Sequence, residues 1–440
     1  MQDKTRSLKS YWILFFLLLL NILNMLDRTL LIAFGPQIVS DLELSDTQYG
    51  LLTGFIFNTF YCFFGLLMGT LADRVNRVRL IAFGLIVWSA LTAVSGAAKS
   101  FYQIGLARLF IGVGESVMTP SAISIMADLF PNEKRGAAAA IYYLGIPFGA
   151  GGAFFIAGIF GPTLGWRNCF YLLGAIGIGA TLFLLALRDP PRGSWDEHYP
   201  ENFGDKGKSS VKQTLISILE ILKESRGLIW ILLGSIAIHI PIGAGAFNMI
   251  WMQSERDFDE SVAVLYGIYS TIFMTIGMIS GGFLSDIYSK HFQGGRARFL
   301  ALFMLALTPF TIGFRFWNPE SIFFYIGLSA ILVFGGAFFG PAFSLVQDLT
   351  PPRSRGIMTA VALLAMNFLG VGSGALILGL SADIMRDLGV VTPYTYGLLA
   401  CDLLGALTIP CFYIASIHTE RRKLLNINTA IKPKFSVSKK

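Results

Sequence analysis

Asp27 and Arg28 stand side by side in NILNMLDRTLLIAFGP, residues 21–36, inside a run that is otherwise apolar from about Tyr11. A second pair, Arg108 and Glu115, interrupts another apolar run in RLFIGVGESVMTPS, residues 108–121. A charge at the centre of a bilayer costs about 2.5 to 3.5 kcal/mol on insertion scales. Four of them demand partners, and two acids with two bases can satisfy one another at zero net charge. Arg108 and Glu115 are seven residues apart, so they share a helix face but stand roughly 10 Å apart along its axis. They therefore need groups from a second helix. The chemistry open to such a quartet is exchange. When Asp27 or Glu115 takes a proton, its arginine is released as a cation able to bind a phosphate or carboxylate, and loss of the proton recaptures it. We assign proton coupling to Asp27 and Glu115, with Asp27 the carrier and Glu115 the partner that orients arginine. The anionic end of a substrate falls to Arg28 or Arg108.

The elements that must hold these charges are membrane helices. The chain has 440 residues, is 54% hydrophobic and only 14% charged, and carries long apolar runs throughout, which marks an all-α, multi-pass membrane protein. A span needs roughly 20 mostly apolar residues. Twelve candidates follow, at about 11–35, 46–72, 77–98, 101–129, 135–161, 165–188, 226–251, 260–288, 297–317, 320–349, 355–383 and 393–418. The first is too long, and too interrupted by charge, for a cleaved signal peptide.

The net charge of +7 suggests a nucleic-acid partner only until the basic residues are placed. Arg28 and Arg108 lie inside spans. Lys99, Arg167, Arg256, Arg315 and Arg386 fall in odd-numbered connections or at the span ends beside them, and the remaining lysines and arginines in the tails and even-numbered connections or at their span ends. The positive-inside rule then puts both termini in the cytoplasm, of the inner membrane if the source is bacterial. With spans 1 and 4 running in opposite directions, the two charged pairs sit at similar depth and face one central cavity.

A polar stretch rich in Pro, Gly and charge, from Arg188 to about Arg226, divides the spans six and six. The expected organisation is a six-helix bundle over 1–188, a linker over 189–225 with a short amphipathic surface helix at Thr214–Ser225, a second bundle over 226–418, and a cytoplasmic tail over 419–440. Each half repeats the same punctuation. DLFPNEKRG at 128–136 returns as DLTPPRSRG at 348–356, and GTLADRVNR at 69–77 returns more weakly as GFLSDIYSK at 282–290. Duplicated six-helix units bind substrate between the halves and rock around it.

GTLADRVNRVR resembles the signature loop of the major facilitator superfamily, which implies two pseudo-symmetric six-helix bundles. Asp73, at a helix C-terminus, opposes its own dipole and wants donors from outside. Arg74, Arg77 or a neighbouring helix N-terminus can supply them, so Gly69, Asp73, Arg74 and Arg77 form a conformational latch. Within that superfamily LNMLDR, RLFIGVGESVMTPS, GWRNCFYLLGAIG, LRDPPRG, IHIPIGAGAFN and FGPAFSLVQDLTPPRSRG resemble the spinster branch, whose members move lysophospholipids and sphingolipids. The resemblance implies a proton-coupled secondary transporter of amphipathic lipid, working by alternating access as a monomer. The charged pairs are shared with organic-anion symporters, so a sugar-acid and proton symporter is the alternative.

Weaker candidates lie in the second half. His239 in IAIHIPIGAG is followed by Pro241, Gly243 and Gly245, which loosen the helix for a gate. Asn248 is a cavity candidate, and Asp402 a hydrogen-bonding residue inside span 12. GIPFGAGG at 145–152 and LGVGSGA at 369–375 allow helices 5 and 11 to pack closely. The chain has no GxxxxGK[ST] loop for ATP and no GxSxG elbow, and its histidines (198, 239, 291 and 418) are isolated. The four cysteines have no metal or pairing spacing. No enzyme, cofactor or metal site is expected.

Overall fold

Apolar runs of this length must satisfy every backbone group internally once surrounded by lipid, and only the helix does so within one segment. The computed structural model describes residues 2–195, 211–351 and 354–431. Linker residues 196–210 (with His198), Pro352 and Arg353 of the second repeat, and tail residues 432–440 lie outside the described residues.

Twelve spans follow in chain order. They are α1 (Leu8–Ala33), α2 (Asp46–Ala72), α3 (Arg77–Gly96), α4 (Phe101–Leu129), α5 and α6 within Glu133–Leu185, α7 (Arg226–Glu255), α8 (Val262–His291), α9 (Gly295–Gly313), α10 (Ile322–Leu349), α11 (Arg355–Asp387) and α12 (Pro393–Glu420). The 53-residue stretch Glu133–Leu185 is too long for one crossing. It breaks at Gly165, whose φ of 71° is open to glycine and costly for a residue with a Cβ. That break separates α5 from α6 where the sequence pattern placed it.

Several spans change pitch midway. α2 carries a π-helical turn at Leu52–Ile56, α11 another at Ala365–Gly372, and α7 a 3-10 turn at Gly245–Phe247 just after Pro241. Such turns leave backbone groups outside the regular ladder and mark functional hinges. The Pro-Gly-Gly segment of α7 thus bends where its residues remove or weaken helical bonds.

The chain forms two compact units. The first comprises residues 1–208, 242–275 and 371–401, and so joins α1–α6 with portions of α7, α8, α11 and α12. Its core packs Leu17 and Leu20 of α1, Leu85 and Trp88 of α3, and Ile111 and Met118 of α4. The second comprises 209–241, 276–370 and 402–440, cored by Ile231, Leu300, Met304, Phe338, Val346 and Phe412. The amphipathic helix Val211–Glu224 belongs to it, burying Ile221 while Ile216 and Leu219 stay exposed.

Glycine sets the helix approach around the charged pairs. A Cβ on Gly112 of α4 would stand 2.8 Å from the Phe57 carbonyl oxygen and 2.9 Å from the Tyr61 backbone nitrogen, so only glycine lets α2 lie this close. Gly84 of α3 and Gly114 of α4 each meet the other's carbonyl oxygen, at 2.6 and 2.9 Å from the Cβ positions. α2, α3 and α4 are thereby drawn together at the level of Glu115.

Candidate functional site

Asn24, Asp27 and Arg28 are spaced i, i+3, i+4 and share one face of α1, as Arg108, Ile111, Gly112 and Glu115 share one face of α4. The first unit brings these faces together. Arg28 Nε donates to Glu115 Oε2, forming an ion pair across α1 and α4. Arg108 Nη2 donates to the Arg28 carbonyl oxygen at 3.2 Å. Asp27 accepts from the hydroxyl of Thr92 on α3. Asp27 and Arg108 are each 2% exposed and Glu115 1%, so these charges are held away from bulk water.

α2 supplies the wall. The Arg28 guanidinium carbon lies 4.0 Å from the Tyr61 ring centre and 4.9 Å from that of Phe57, and the Arg108 carbon lies 5.1 Å from Phe57. Both cations rest on aromatic rings, contacts that strengthen when water is excluded. Gly112 is what admits those rings.

Hydrogen bonding within the quartet is unequal. Arg28 is paired, whereas Arg108 Nε and Nη1 and Asp27 Oδ1 are buried with no hydrogen-bonding partner in the protein. Buried polar groups are nearly always partnered by protein, water or a bound ligand, so these atoms are open to a further partner. Two donors on Arg108 and one oxygen of Asp27 are open to an anion and a proton.

Thr92, Phe57, Tyr61 and Asn24 escaped the sequence reading because they are neutral. The available signals were Asn24 one turn before Asp27 and the lone threonine in WSALTAV.

The other predicted residues are placed elsewhere. His239 is 3% exposed in the second unit, with Nδ1 2.7 Å from the Ser235 carbonyl oxygen and its ring edge-on to Phe338 and Phe339. It is a satisfied core histidine in this arrangement. Asn248, in the first unit, donates to the Tyr266 hydroxyl at 3.1 Å, beside the α7 turn whose Ala246 carbonyl accepts from Tyr49 at 3.0 Å. Asp402 accepts from Arg315 Nε at 2.7 Å and Nη2 at 3.3 Å. Arg315 lies in the turn between α9 and α10, within the connection where the sequence placed it, but its side chain is not at the surface. The turn after Gly313 folds its side chain inward to 0% exposure, because a bidentate carboxylate compensates the buried guanidinium.

At the signature loop, no ion pair among the described residues joins Asp73 to Arg74 or Arg77. Asp73 caps the C-terminal end of α2, and the space beside Gly69 is open. Arg77, fully buried, turns instead to Asp128 and to Asp189 of LRDPPRG, with Nε 2.9 Å from Asp189 Oδ1. Arg192 then closes α2 by donating to the carbonyls of Ala72 and Val75 at 2.7 and 2.8 Å. The repeat is arranged differently in the second unit, where Arg296 bridges Asp286 and Asp348, each at 2.9 Å. There Asp286, the counterpart of Asp73, does pair with an arginine, Arg296, which lies beyond the repeat.

In the connection between α1 and α2, Asp41 accepts from Trp166 Nε1 at 2.9 Å and from Arg167. The hydrogen bond from the Arg167 guanidinium outweighs the opposing effect of burial and, with the indole hydrogen bond, holds the Asp41 carboxyl below the usual carboxylate range.

Residues 17–375 match the profile of the Major Facilitator Superfamily. An MFS-type efflux pump of Mycolicibacterium smegmatis is 26% identical over 92% of each chain. The sphingosine-1-phosphate transporter of Danio rerio is 29% identical over 51% of this chain and 44% of its own. Among solved structures, a bacterial homolog of the human lysosomal transporter Spinster, in an inward-facing and unoccupied conformation, superposes with a TM-score of 0.81 at 25% identity, covering 93% of this chain and 97% of that one.

Proposed function

Because this chain belongs to the major facilitator superfamily, and so is a multi-pass membrane transporter rather than an enzyme, we propose that it moves a lysophospholipid or related amphipathic lipid by proton-coupled alternating access. The observation that carries this reading is the inequality between the two arginines. Arg28 is held by Glu115, while Arg108 keeps two buried N–H groups without a partner. Arg108 receives the anionic headgroup, and the Phe57 and Tyr61 rings beside the cations suit the first carbons of an amphipath. The sphingosine-1-phosphate named for the zebrafish relative has this chemistry, one phosphate on an acyl-like chain.

Coupling follows from the charge balance. With both acids ionised the quartet is neutral, and an incoming anion adds one negative charge to a dry site. A proton on Asp27 restores neutrality, and Asp27 has a free oxygen to take it. A proton on Glu115 instead would free Arg28 as a second cation for the headgroup. Loss of the proton makes the bound anion unfavourable and returns it to the bilayer or the water on the side then open. Proton and substrate are thus linked through one set of charges.

Both termini lie in the cytoplasm in this reading, following the basic residues, the membrane is the inner membrane if the source is bacterial, and the monomer is the working unit. The test is uptake of radiolabelled lysophospholipid into proteoliposomes, with and without an imposed pH gradient, beside Asp27→Asn and protein-free vesicles. Gradient-driven flux that Asp27→Asn abolishes is expected. Flux equal to empty vesicles removes the lipid and moves the assignment to a sugar acid, and undiminished flux in Asp27→Asn removes the coupling role.

A further inference from the structure

The N-terminal end of α2 and the C-terminal end of α11 meet in the first unit through a carboxylate that serves a helix other than its own. Asp383 sits in the last turn of α11, where its charge opposes the helix dipole. It accepts from the backbone N–H groups of Asp46 at 3.1 Å and Thr47 at 2.8 Å, and from the Thr47 hydroxyl at 2.6 Å. These are two of the four N–H groups that open α2 without an intrahelical partner. Ser45 caps a third through Gln48 at 3.1 Å. The start of α2 is therefore finished by a side chain 336 residues away in sequence.

The contact is reciprocated. Asp46, 2% exposed, accepts from the Tyr394 hydroxyl at 2.7 Å and forms an ion pair with Arg386 at 2.6 Å. Arg386 also donates to Tyr394 at 2.8 Å and lies 3.6 Å from Asp383. Glu255 of α7 caps α12 in the same way, accepting from the N–H groups of Tyr394 and Thr395 at 2.7 and 2.8 Å. The network thus runs from α7 through α12 and α2 to α11. Immediately deeper, glycines seat α2 on α11, since a Cβ on Gly54 would stand 2.9 Å from the Gly372 carbonyl oxygen.

We propose that Asp383, Thr47, Asp46, Arg386 and Tyr394 form an outer latch that keeps the external mouth closed and must open for the carrier to face outward. The chemistry suits a reversible catch. Charge-assisted hydrogen bonds to a helix N-terminus are strong when dry, yet every group in the set lies near a helix end, where water can replace its partner once the helices part. The glycine seat below supplies close backbone contact with no side-chain polar group that would need a new partner. The latch is the counterpart, at the opposite end of α2, of the signature loop around Asp73. It rests on the alternating-access reading and on the cytoplasmic placement of the termini, but on neither the lipid nor the proton.

Thr53, 8% exposed one turn below Tyr49, is a reporter position. In a chain whose four cysteines are replaced by alanine, Thr53→Cys is exposed to a membrane-impermeant maleimide added outside, and the rate of labelling is read with and without Asp383→Ala. Labelling about tenfold faster in the double variant is expected, from loss of an N-terminal cap and its charged hydrogen bonds. Equal rates at equal surface amounts would overturn the latch. If Asp383→Ala does not reach the membrane, Arg386→Gln carries the test, with about threefold faster labelling expected and an unchanged rate again decisive against it. A chain that labels faster but moves no lysophospholipid keeps the latch and loses the lipid. One that moves lysophospholipid while labelling identically in both variants keeps the lipid and loses the latch.

Discussion

Arg28 donates its Nε hydrogen to Glu115 across α1 and α4, although Asp27 is its neighbour in the chain. Adjacent helical residues point about 100° apart, so Asp27 turns to Thr92 of α3 while Arg28 turns to α4. The two acids are thereby given different work. Glu115 is occupied by a cation, and one oxygen of Asp27 has no hydrogen-bonding partner in the protein.

Their substitutions should separate. Glu115→Gln removes one partner of a buried ion pair and is expected to cost about 3 to 5 kcal/mol, seen as a lowered melting temperature in detergent. Asp27→Asn keeps shape and a hydrogen bond to Thr92. It should melt close to the parent while losing gradient-driven transport. Equal melting of the two variants would contradict this division.

Arg108 is expected to govern affinity. Arg108→Lys preserves the charge but not the planar set of donors, and should weaken lysophospholipid binding by about tenfold with little change in fold. Titration of the purified protein by tryptophan fluorescence or calorimetry measures it. An unchanged Kd would move the headgroup to Arg28.

Gly112 is expected to be intolerant. Gly112→Ala places a methyl against the α2 backbone, which cannot rotate away as a side chain can. The cost should be about 1 to 3 kcal/mol. Transport should fall further than stability, because the shift moves Phe57 and Tyr61 from the arginines. Paired melting and uptake measurements decide this.

Arg315 and Asp402 make a second buried pair, and its test is a double substitution. Asp402→Leu alone strands a guanidinium and should destabilise by about 3 to 5 kcal/mol, whereas Arg315→Met with Asp402→Leu should recover most of that loss. Thermal unfolding of both variants distinguishes a pin between helices from a functional charge. If the double variant is stable but inactive, the pair serves transport.

The Asp41 pair has a defined pH range. Its folded-state carboxyl ionises below the ordinary value of 3.8, so its stabilising contribution is present above 3.8 and is lost as pH falls through the lower folded value. Asp41→Asn should therefore differ slightly from the parent at pH 7 and converge with it under strong acid. Melting curves across that range check the sign. A transport pH dependence between 5 and 8 cannot arise from this pair.

Hydropathy and charge alone determined that this is a helical membrane protein of twelve spans. Each crossing is a local property of about 20 residues, and two runs at about 135–161 and 165–188 were separated on hydropathy, while the structure put the break at Gly165. The buried charges were equally legible, since an ionisable residue amid apolar neighbours announces itself. What only the tertiary structure decided was the pairing. Arg28 and Glu115 are 87 residues apart, Arg77 and Asp189 are 112, and Asp46 and Asp383 are 337. Partnership over such separations depends on how each helix is rotated about its axis and where a glycine lets two backbones close. For the same reason Arg77 turned away from Asp73, and Arg315, at the end of α9, went inward rather than to solvent. Sequence supplied the charges, and helix packing chose which of them would meet.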